Sequence, residues 1–218
     1  MVSGPPRIRT LSTRNYHMDP QRFEQAYQGQ APWDTGRPQP AIIKLAEAGQ
    51  ISGCVLDVGC GTGENILYLA AKGHEAWGLD FVPVAIERAK AKAAQRGIKA
   101  HFIVGNALEL KELGRKFDTV IDCGLFHTFA DEERPAFIKG LADVLGPGGS
   151  LYILCFSDEE PGTEGPRRIS QQEIRDSFHD GWTVQRIEPT QFDSIPPKDG
   201  PKFTPGGPKA WLATIERT

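Results

Sequence analysis

Cys54-Val55-Leu56-Asp57-Val58-Gly59-Cys60-Gly61-Thr62-Gly63-Glu64 is the stretch whose reading decides the architecture. A short, mostly apolar run meets three glycines at alternate positions, and helical spacing then begins through Ile66, Leu67, Leu69 and Ala70. A buried strand that breaks into a glycine turn and resumes as a helix is the opening of a βαβ unit. In open α/β sheets, ligands bind just beyond the carboxyl end of such a strand.

Working outward, the alternation continues downstream. Strands are expected at Glu75–Leu79, Ala100–Val104, Thr119–Cys123 and Ser150–Phe156. Between them fall a helix over Val84–Arg96 closed by Gly97, a short helix or turn over Ala107–Leu113, and a helix over Asp131–Leu145 stopped by Gly146-Pro147-Gly148-Gly149. This spacing predicts a doubly wound, mostly parallel α/β sheet covered on both faces. The tail departs from it: a polar loop (Ser157–Arg168), a helix (Ser170–Phe178), then strand-like runs Thr183–Glu188 and Ala210–Ile215 with the Pro/Gly loop Ile195–Pro201 between them. Two late strands with no helix between suit an antiparallel hairpin at the sheet edge. Upstream, short helices are expected at Pro20–Gln28 and Pro40–Ala48, flanking a Pro/Gly-rich loop that carries Trp33, and Met1–Asp19 is expected to be mobile at its start. The organisation read from this is an N-terminal extension and helical lid over residues 1–50 and one compact unit over residues 51–218.

Composition narrows the function. A chain of 218 residues suits one domain, since roughly 70% of the unfolded surface is buried at this size. The net charge of −3 and a pI near 6.0 give no excess of cations for nucleic acid or an anionic membrane. No apolar stretch reaches membrane-span length and the first twenty residues lack a signal-peptide block, so a cytoplasmic location is expected. Cys54, Cys60, Cys123 and Cys155 lack zinc-site spacing; they read as small buried hydrophobes, and no metal site is expected.

Three readings of the glycine turn compete with a purely structural one. A dinucleotide fingerprint needs a small third residue, and here Gly59 and Gly61 are followed by Glu64. A phosphate-binding loop would end in Lys and then Ser or Thr, which this turn does not. Asp57, with Glu64, would repel a pyrophosphate and attract a ligand bearing an ammonium and a sulfonium, which favours S-adenosylmethionine over NAD. Asp80, nineteen residues after Gly61, is placed to accept hydrogen bonds from ribose hydroxyls, or else to cap the helix after Pro83. Its neighbour Phe81 is counted with the cofactor residues. Asn106 and Ala107 are placed at the adenine edge, and Asp122-Cys123-Gly124-Leu125-Phe126-His127 beneath the methionine half.

Taken together, Val55–Gly63, Gly78-Leu79-Asp80, Gly105-Asn106-Ala107, Phe117-Asp118-Thr119-Val120 and Leu145–Gly149 resemble the successive motifs of class I S-adenosylmethionine-dependent methyltransferases. The resemblance covers about Cys54 to Phe156. It implies a Rossmann-like seven-stranded sheet with a reversed last strand and a cofactor held by Asp57, Gly59, Cys60, Gly61, Thr62 and Gly63. Pro32-Trp33-Asp34-Thr35-Gly36-Arg37-Pro38, the Asp122–His127 segment and Gly165-Pro166-Arg167-Arg168 are similar to the thiol, halide, thiopurine and small-heterocycle group. That likeness implies a Trp33 segment covering cofactor and acceptor. Asn106 departs from the Asp common in relatives, which weakens its adenine assignment.

Methyl transfer is an in-line displacement at an activated carbon, so the protein chiefly aligns the reactants in a dry pocket. A phenol benefits from a base, and His127 and Asp122 are the base candidates; a thiolate, halide or ring nitrogen needs none. Asp122 has the alternative of orienting an amide or the cofactor ammonium, and His127 that of packing or capping. Arg167 and Arg168 are read as steering a polar acceptor or as solvated. Phe126, Phe156, Phe192 and Phe203 are read as walls for an aromatic acceptor or as core. The expected partner is a small molecule. The alternatives are a nucleic-acid or protein methyltransferase, which would carry an Asn/Asp-Pro-Pro-aromatic segment after strand four, and a protein that binds the cofactor without turnover.

Overall fold

The computed structural model describes residues 20–196 and 203–218. The expectation for residues 1–19 and the tip of the Ile195–Pro201 loop lie outside them. Seven strands, β1 (Cys54–Val58), β2 (Glu75–Asp80), β3 (His101–Val104), β4 (Phe117–Cys123), β5 (Leu145–Phe156), β6 (Trp182–Gln191) and β7 (Lys209–Arg217), form one sheet in the order β3-β2-β1-β4-β5-β7-β6. The first five are parallel; β7 inserts antiparallel between β5 and β6. The late hairpin expected from sequence therefore forms, with its second strand innermost.

Strand periodicity divides the interior in two. Leu56 and Val58 of β1, Leu151 and Ile153 of β5, and Trp211 and Ala213 of β7 enter one core, against Phe137 and Leu141 of α5 (Arg134–Val144) and Ile174 of α6 (Gln171–Ser177). Their immediate neighbours Val55, Tyr152, Leu154 and Leu212 enter the other. There they meet α2 (Pro40–Glu47), α3 (Glu64–Ala71) and α4 (Pro83–Arg96) through Ile42, Leu45, Ile66, Leu69, Ile86 and Ala89. Burial of each Leu or Ile side chain contributes about 1.5–3 kcal/mol, and a one-residue slip would exchange the two faces. The register of the central strands is thus held by both cores at once. Helix α1 (Pro20–Gln28) lies apart from these and rests on the start of α4 through Tyr27, Val82 and Ala85.

Two of the bounds that differ from the sequence reading have a local cause. α5 starts at Arg134 rather than Asp131, because Pro135 sits in its first turn and the residues before it form a separate turn. Gly146–Gly149 is no connecting loop but the irregular start of β5. Leu145 pairs with Phe117, and pairing resumes only at Ser150 with Thr119. A Cβ on Gly149 would stand 2.7 Å from the Leu145 side chain, so only glycine permits that fold-back.

Candidate functional site

The glycine turn sits where the fold predicts. Gly59, Gly61 and Gly63 all take positive φ, +74°, +54° and +84°, the region open to glycine. The backbone N–H groups of Gly59 and Cys60 donate to the Leu79 carbonyl (2.8 and 2.9 Å), which ties the turn to the end of β2. Asp80 completes that tie: Gly61 N–H donates to its Oδ2 (2.8 Å) and Val82 N–H to its Oδ1 (2.9 Å). The helix-entry reading of Asp80 is seen in the Val82 bond. Asp80 braces the turn and the entry to α4, and each oxygen keeps a second lone pair.

Asp57 and Asp122 end adjacent parallel strands, in the register Asp57↔Ile121 and Val58↔Asp122. Both are fully buried. Asn65 Nδ2 donates to Asp57 Oδ2 (3.4 Å), while Leu125 N–H and Phe126 N–H donate to Asp122 Oδ1 (2.9 and 3.1 Å). Asp57 Oδ1 and Asp122 Oδ2 have no hydrogen-bond partner among the described residues. Burial pushes Asp57 up to about 8, helped by the charges of Asp122 and Asp80, and burial pushes Asp122 up to about 7. Buried carboxylate oxygens without partners are costly, and a cationic ligand at these strand ends offsets that cost. The donor set fits a cofactor bearing an ammonium.

Glu64 corrects the electrostatic argument made from sequence. It is clamped by Arg96 (2.7 and 2.9 Å) and Lys92 (2.8 Å) of α4, which hold its carboxyl below the usual range against the cost of burial. Glu64 is thus a neutralised structural group, and the attraction for a cation rests on Asp57, Asp80 and Asp122. Lys92 also donates to Thr62 Oγ1 (2.6 Å), and Thr62 donates in turn to Asp34 Oδ1 (2.6 Å). The strap over residues 31–39 is docked onto the glycine turn by that link.

The strap's other end reaches the loop after β6. Arg37 pairs with both carboxylate oxygens of Asp193, the Gln39 side chain exchanges two hydrogen bonds with the Asp193 backbone (2.8 and 2.9 Å), and Ile195 N–H donates to the Pro32 carbonyl (2.8 Å). Trp33 is 44% exposed and donates from Nε1 to the Tyr27 hydroxyl (3.0 Å), with its ring against Phe23 and Tyr27. Tyr27 is the residue that sequence reasoning missed: a Cβ on Gly61 would lie 2.7 Å from its hydroxyl. The signal for it was the pair Phe23 and Tyr27, four apart on one helix face. Asn65 and Gln39 were likewise missed; a buried Asn on an apolar helix face was the available sign.

Remaining cofactor expectations fall nearby. Phe81 packs edge-on against Phe23 (5.6 Å), Ala107 is buried, and Asn106 Oδ1 accepts from Leu108 N–H (3.0 Å), leaving its amide nitrogen as the group for a ligand. Cys60 and Cys123 are half-buried at the turn and the end of β4. Only Cys155 fits the reading of a fully buried thiol.

Beside the end of β4 lies a cluster of four rings. His127 stands 5.2 Å from Phe156 and 6.0 Å from Phe192, and Phe156 is 5.3 Å from Phe192 and 5.6 Å from Phe203. A Cβ on Gly124 would be 3.7 Å from both His127 Cε1 and Phe192, so the cluster abuts the β4 turn. Phe126 does not join it: the ring is fully buried in the opposite core, against Phe178 and beneath Arg134. Arg167 is also removed from the site, its guanidinium held by Asp131 and Glu173 (2.5 Å each). Arg168 lies behind the ring cluster, 5.1 Å over Phe156 and donating to the carbonyls of Glu160, Pro161, Glu164 and Pro166.

His127 meets the backbone of β5 in this arrangement. Phe156 N–H donates to its Nδ1 (3.0 Å), so the ring proton belongs on Nε2. Burial pushes its pKa down to about 3, helped by the charges of Arg168 and Arg134. At neutral pH the ring is an uncharged donor.

A sheet of this order, a glycine turn braced by an acidic strand end, and unpartnered carboxylates awaiting a cation define an S-adenosylmethionine-dependent transferase. Comparison with known proteins agrees: residues 55–149 match the family described as "Methyltransferase domain". The chain is 37% identical over 196 residues, 85% of each protein, to 2-heptyl-1-hydroxyquinolin-4(1H)-one methyltransferase of Mycobacteroides abscessus. It is 32% identical over 147 residues, 66% of this chain and 65% of the relative, to probable thiol methyltransferase 2 of Arabidopsis thaliana. A solved structure described as "Conversion of a Disulfide Bond into a Thioacetal Group during Echinomycin Biosynthesis" superposes with a TM-score of 0.80 at 36% identity, over 90% of this chain and 92% of that one. The chain belongs to the methyltransferase family and is an S-adenosylmethionine-dependent methyltransferase.

Proposed function

We propose that the protein methylates a heteroatom on a small, flat aromatic acceptor. The observation that carries this is the cluster of His127, Phe156, Phe192 and Phe203, four rings in edge-on or tilted contact beside the end of β4, a setting that suits an aromatic ligand. The relative from Mycobacteroides abscessus, whose name specifies a hydroxyquinolone, supports an acceptor of this shape. Behind Phe192, an open cleft of about 570 Å³ lined in part by Pro40, Lys44, Thr190 and Lys209 gives room for a ring substituent.

In this reading Gly59, Cys60, Gly61, Thr62 and Gly63 cradle the cofactor, and Asp80 uses its remaining lone pairs on the ribose. Phe81, Asn106 and Ala107 border the adenine. Asp57, Asp122 and Cys123 line the methionine half, with Asp122 holding the β4 turn and the ammonium rather than moving a proton. When bound, the cofactor supplies a methyl group on a sulfonium. Residues 20–50 act as a lid on the unit that begins at residue 51, with Trp33 and Tyr27 at the glycine turn. Free thiols at all four cysteines support the cytoplasm as the compartment.

The test is incubation with labelled cofactor and a panel of hydroxyquinolones, phenols, azaheterocycles, aliphatic thiols and iodide. Label on the aromatic members is expected. Transfer only to iodide or aliphatic thiols would refute the reading and favour the thiol chemistry named for the Arabidopsis relative. Cofactor binding with no transfer to any member would leave a binding protein.

A further inference from the structure

We propose that the acceptor site selects the deprotonated form of its acceptor, with His127 Nε2–H donating a hydrogen bond to the anionic heteroatom or to an oxygen conjugated with it. This rests on the reading of the ring cluster as the acceptor site and adds the charge of the substrate and the residue that reads it.

The geometry starts from one backbone bond. Phe156 N–H occupies His127 Nδ1 at 3.0 Å, which assigns the tautomer and leaves Nε2–H as the donor edge. No described residue pairs with Nε2, and the adjoining Cε1 is on the side of Gly124, at the turn where β4 ends. Nε2 is not sealed from solvent although the residue is buried, so a ligand can reach that N–H, and an anionic acceptor is the partner that rewards such a donor most.

The charges around the ring agree. Arg168, from the loop after β5, lies over the outer face of Phe156, and Arg134, from the start of α5, acts on His127 from the side of Phe126. Each has acidic neighbours: Glu160 beside Arg168, whose carboxylate accepts from the Thr204 and Lys209 backbones, and Asp131 and Glu173 beside Arg134 at 3.6 and 3.4 Å. Asp122 on β4 directs one oxygen to the Leu125 and Phe126 amides. Nε and Nη2 of Arg134 are buried without partners, so much of its positive potential is unspent inside the protein. Burial first, and then both guanidiniums, push His127 toward the neutral form.

The transfer step then needs no base. The acceptor loses its proton to solvent before it binds; its lone pair forms the bond to the methyl carbon while the electron pair of the breaking carbon–sulfur bond goes to sulfur. Acceptors acidic enough to ionise near neutral pH, such as N-hydroxy heteroarenes, activated phenols and heteroaryl thiols, are the class this favours.

The experiment uses 4-nitrophenol, whose absorbance reports its ionisation, and its neutral ether 4-nitroanisole, each titrated into the enzyme saturated with demethylated cofactor. In the wild type the bound phenol should ionise at least about one pH unit below its solution value, a tenfold or greater preference for phenolate. H127N keeps an oxygen for Phe156 N–H and removes the Nε2–H donor, so the shift should fall to threefold or less; H127Q restores a donor near the Nε2 position and should recover part of it. A bound phenol that ionises at or above its solution value, a shift intact in H127N, or 4-nitroanisole binding as tightly as the phenolate would each overturn the selection for charge. Binding of neither probe at millimolar concentration would overturn the aromatic acceptor site itself, and the inference with it.

Discussion

The two ends of the ligand crevice are built in opposite ways. At the cofactor end, one unbroken run, residues 54–64, supplies strand, turn and helix start, and its main partner, Asp80, closes the neighbouring strand. At the acceptor end, His127, Phe156, Phe192 and Phe203 come from four separate segments and meet only because β5 and the late hairpin lie side by side. In the proposed reading the cofactor end works through backbone groups and fixed charge, and the acceptor end through aromatic rings and one donor. The first must accommodate a single invariant ligand, while the second can be altered residue by residue without disturbing the sheet.

Asp80→Ala should give the largest effect, and at the cofactor end alone. It removes charge-assisted bonds to the Gly61 and Val82 amides as well as those expected to ribose, so cofactor affinity by calorimetry should fall by about 1.5–3 kcal/mol. The melting temperature should fall too, because the brace is structural. Unchanged affinity would take Asp80 out of the site.

Next is pH. Asp57 and Asp122 are raised in the cofactor-free fold to about 8 and about 7, above the ordinary carboxylate value. A folded state that binds more protons than the unfolded chain is most favoured at low pH: this contribution is full below about pH 4 and is lost as pH climbs through the raised values. A cation at these carboxylates lowers both, so cofactor binding should release protons and tighten severalfold between pH 6 and 8. Calorimetry in buffers of different ionisation enthalpy checks this, and proton uptake on binding would contradict the assignment.

Phe192→Leu should act only at the acceptor end. It keeps apolar volume but loses a ring face worth about 0.5–1.5 kcal/mol, so KM for an aromatic acceptor should rise about threefold to tenfold with cofactor affinity unchanged. A comparable loss of cofactor affinity would show that the two ends are not independent. The smallest effect is expected from Arg37→Ala at the strap's exposed ion pair, which should leave the melting curve unmoved because solvent screens such pairs. A clear drop in melting temperature would instead make Asp193 a principal anchor of the strap.

What could be read before folding follows the same division. The strands and most helices were legible because apolar residues recur at two or at three to four positions, and Gly59, Gly61 and Gly63 announced a turn that other residues resist. The start of β5 was misread because Gly146–Gly149 carries loop composition, and only its pairing across to Phe117 and Thr119 makes it strand. Glu64 was counted with Asp57 among the carboxylates a ligand would meet because its partners Lys92 and Arg96 are a helix away. Phe126 and Phe156 cannot be told apart by type, yet they enter opposite cores, and only Phe156 packs against His127 and Phe192.

The sequence by itself determined the sheet, the glycine turn and the sign of the charge expected there, since each depends on neighbours a few residues apart and on backbone sterics. Only the tertiary structure decided which carboxylates stay unneutralised, which phenylalanines gather around His127, and that a backbone N–H occupies His127 Nδ1. Those properties arise from contacts between residues tens of positions apart, where burial and a single backbone hydrogen bond set the surroundings of a side chain.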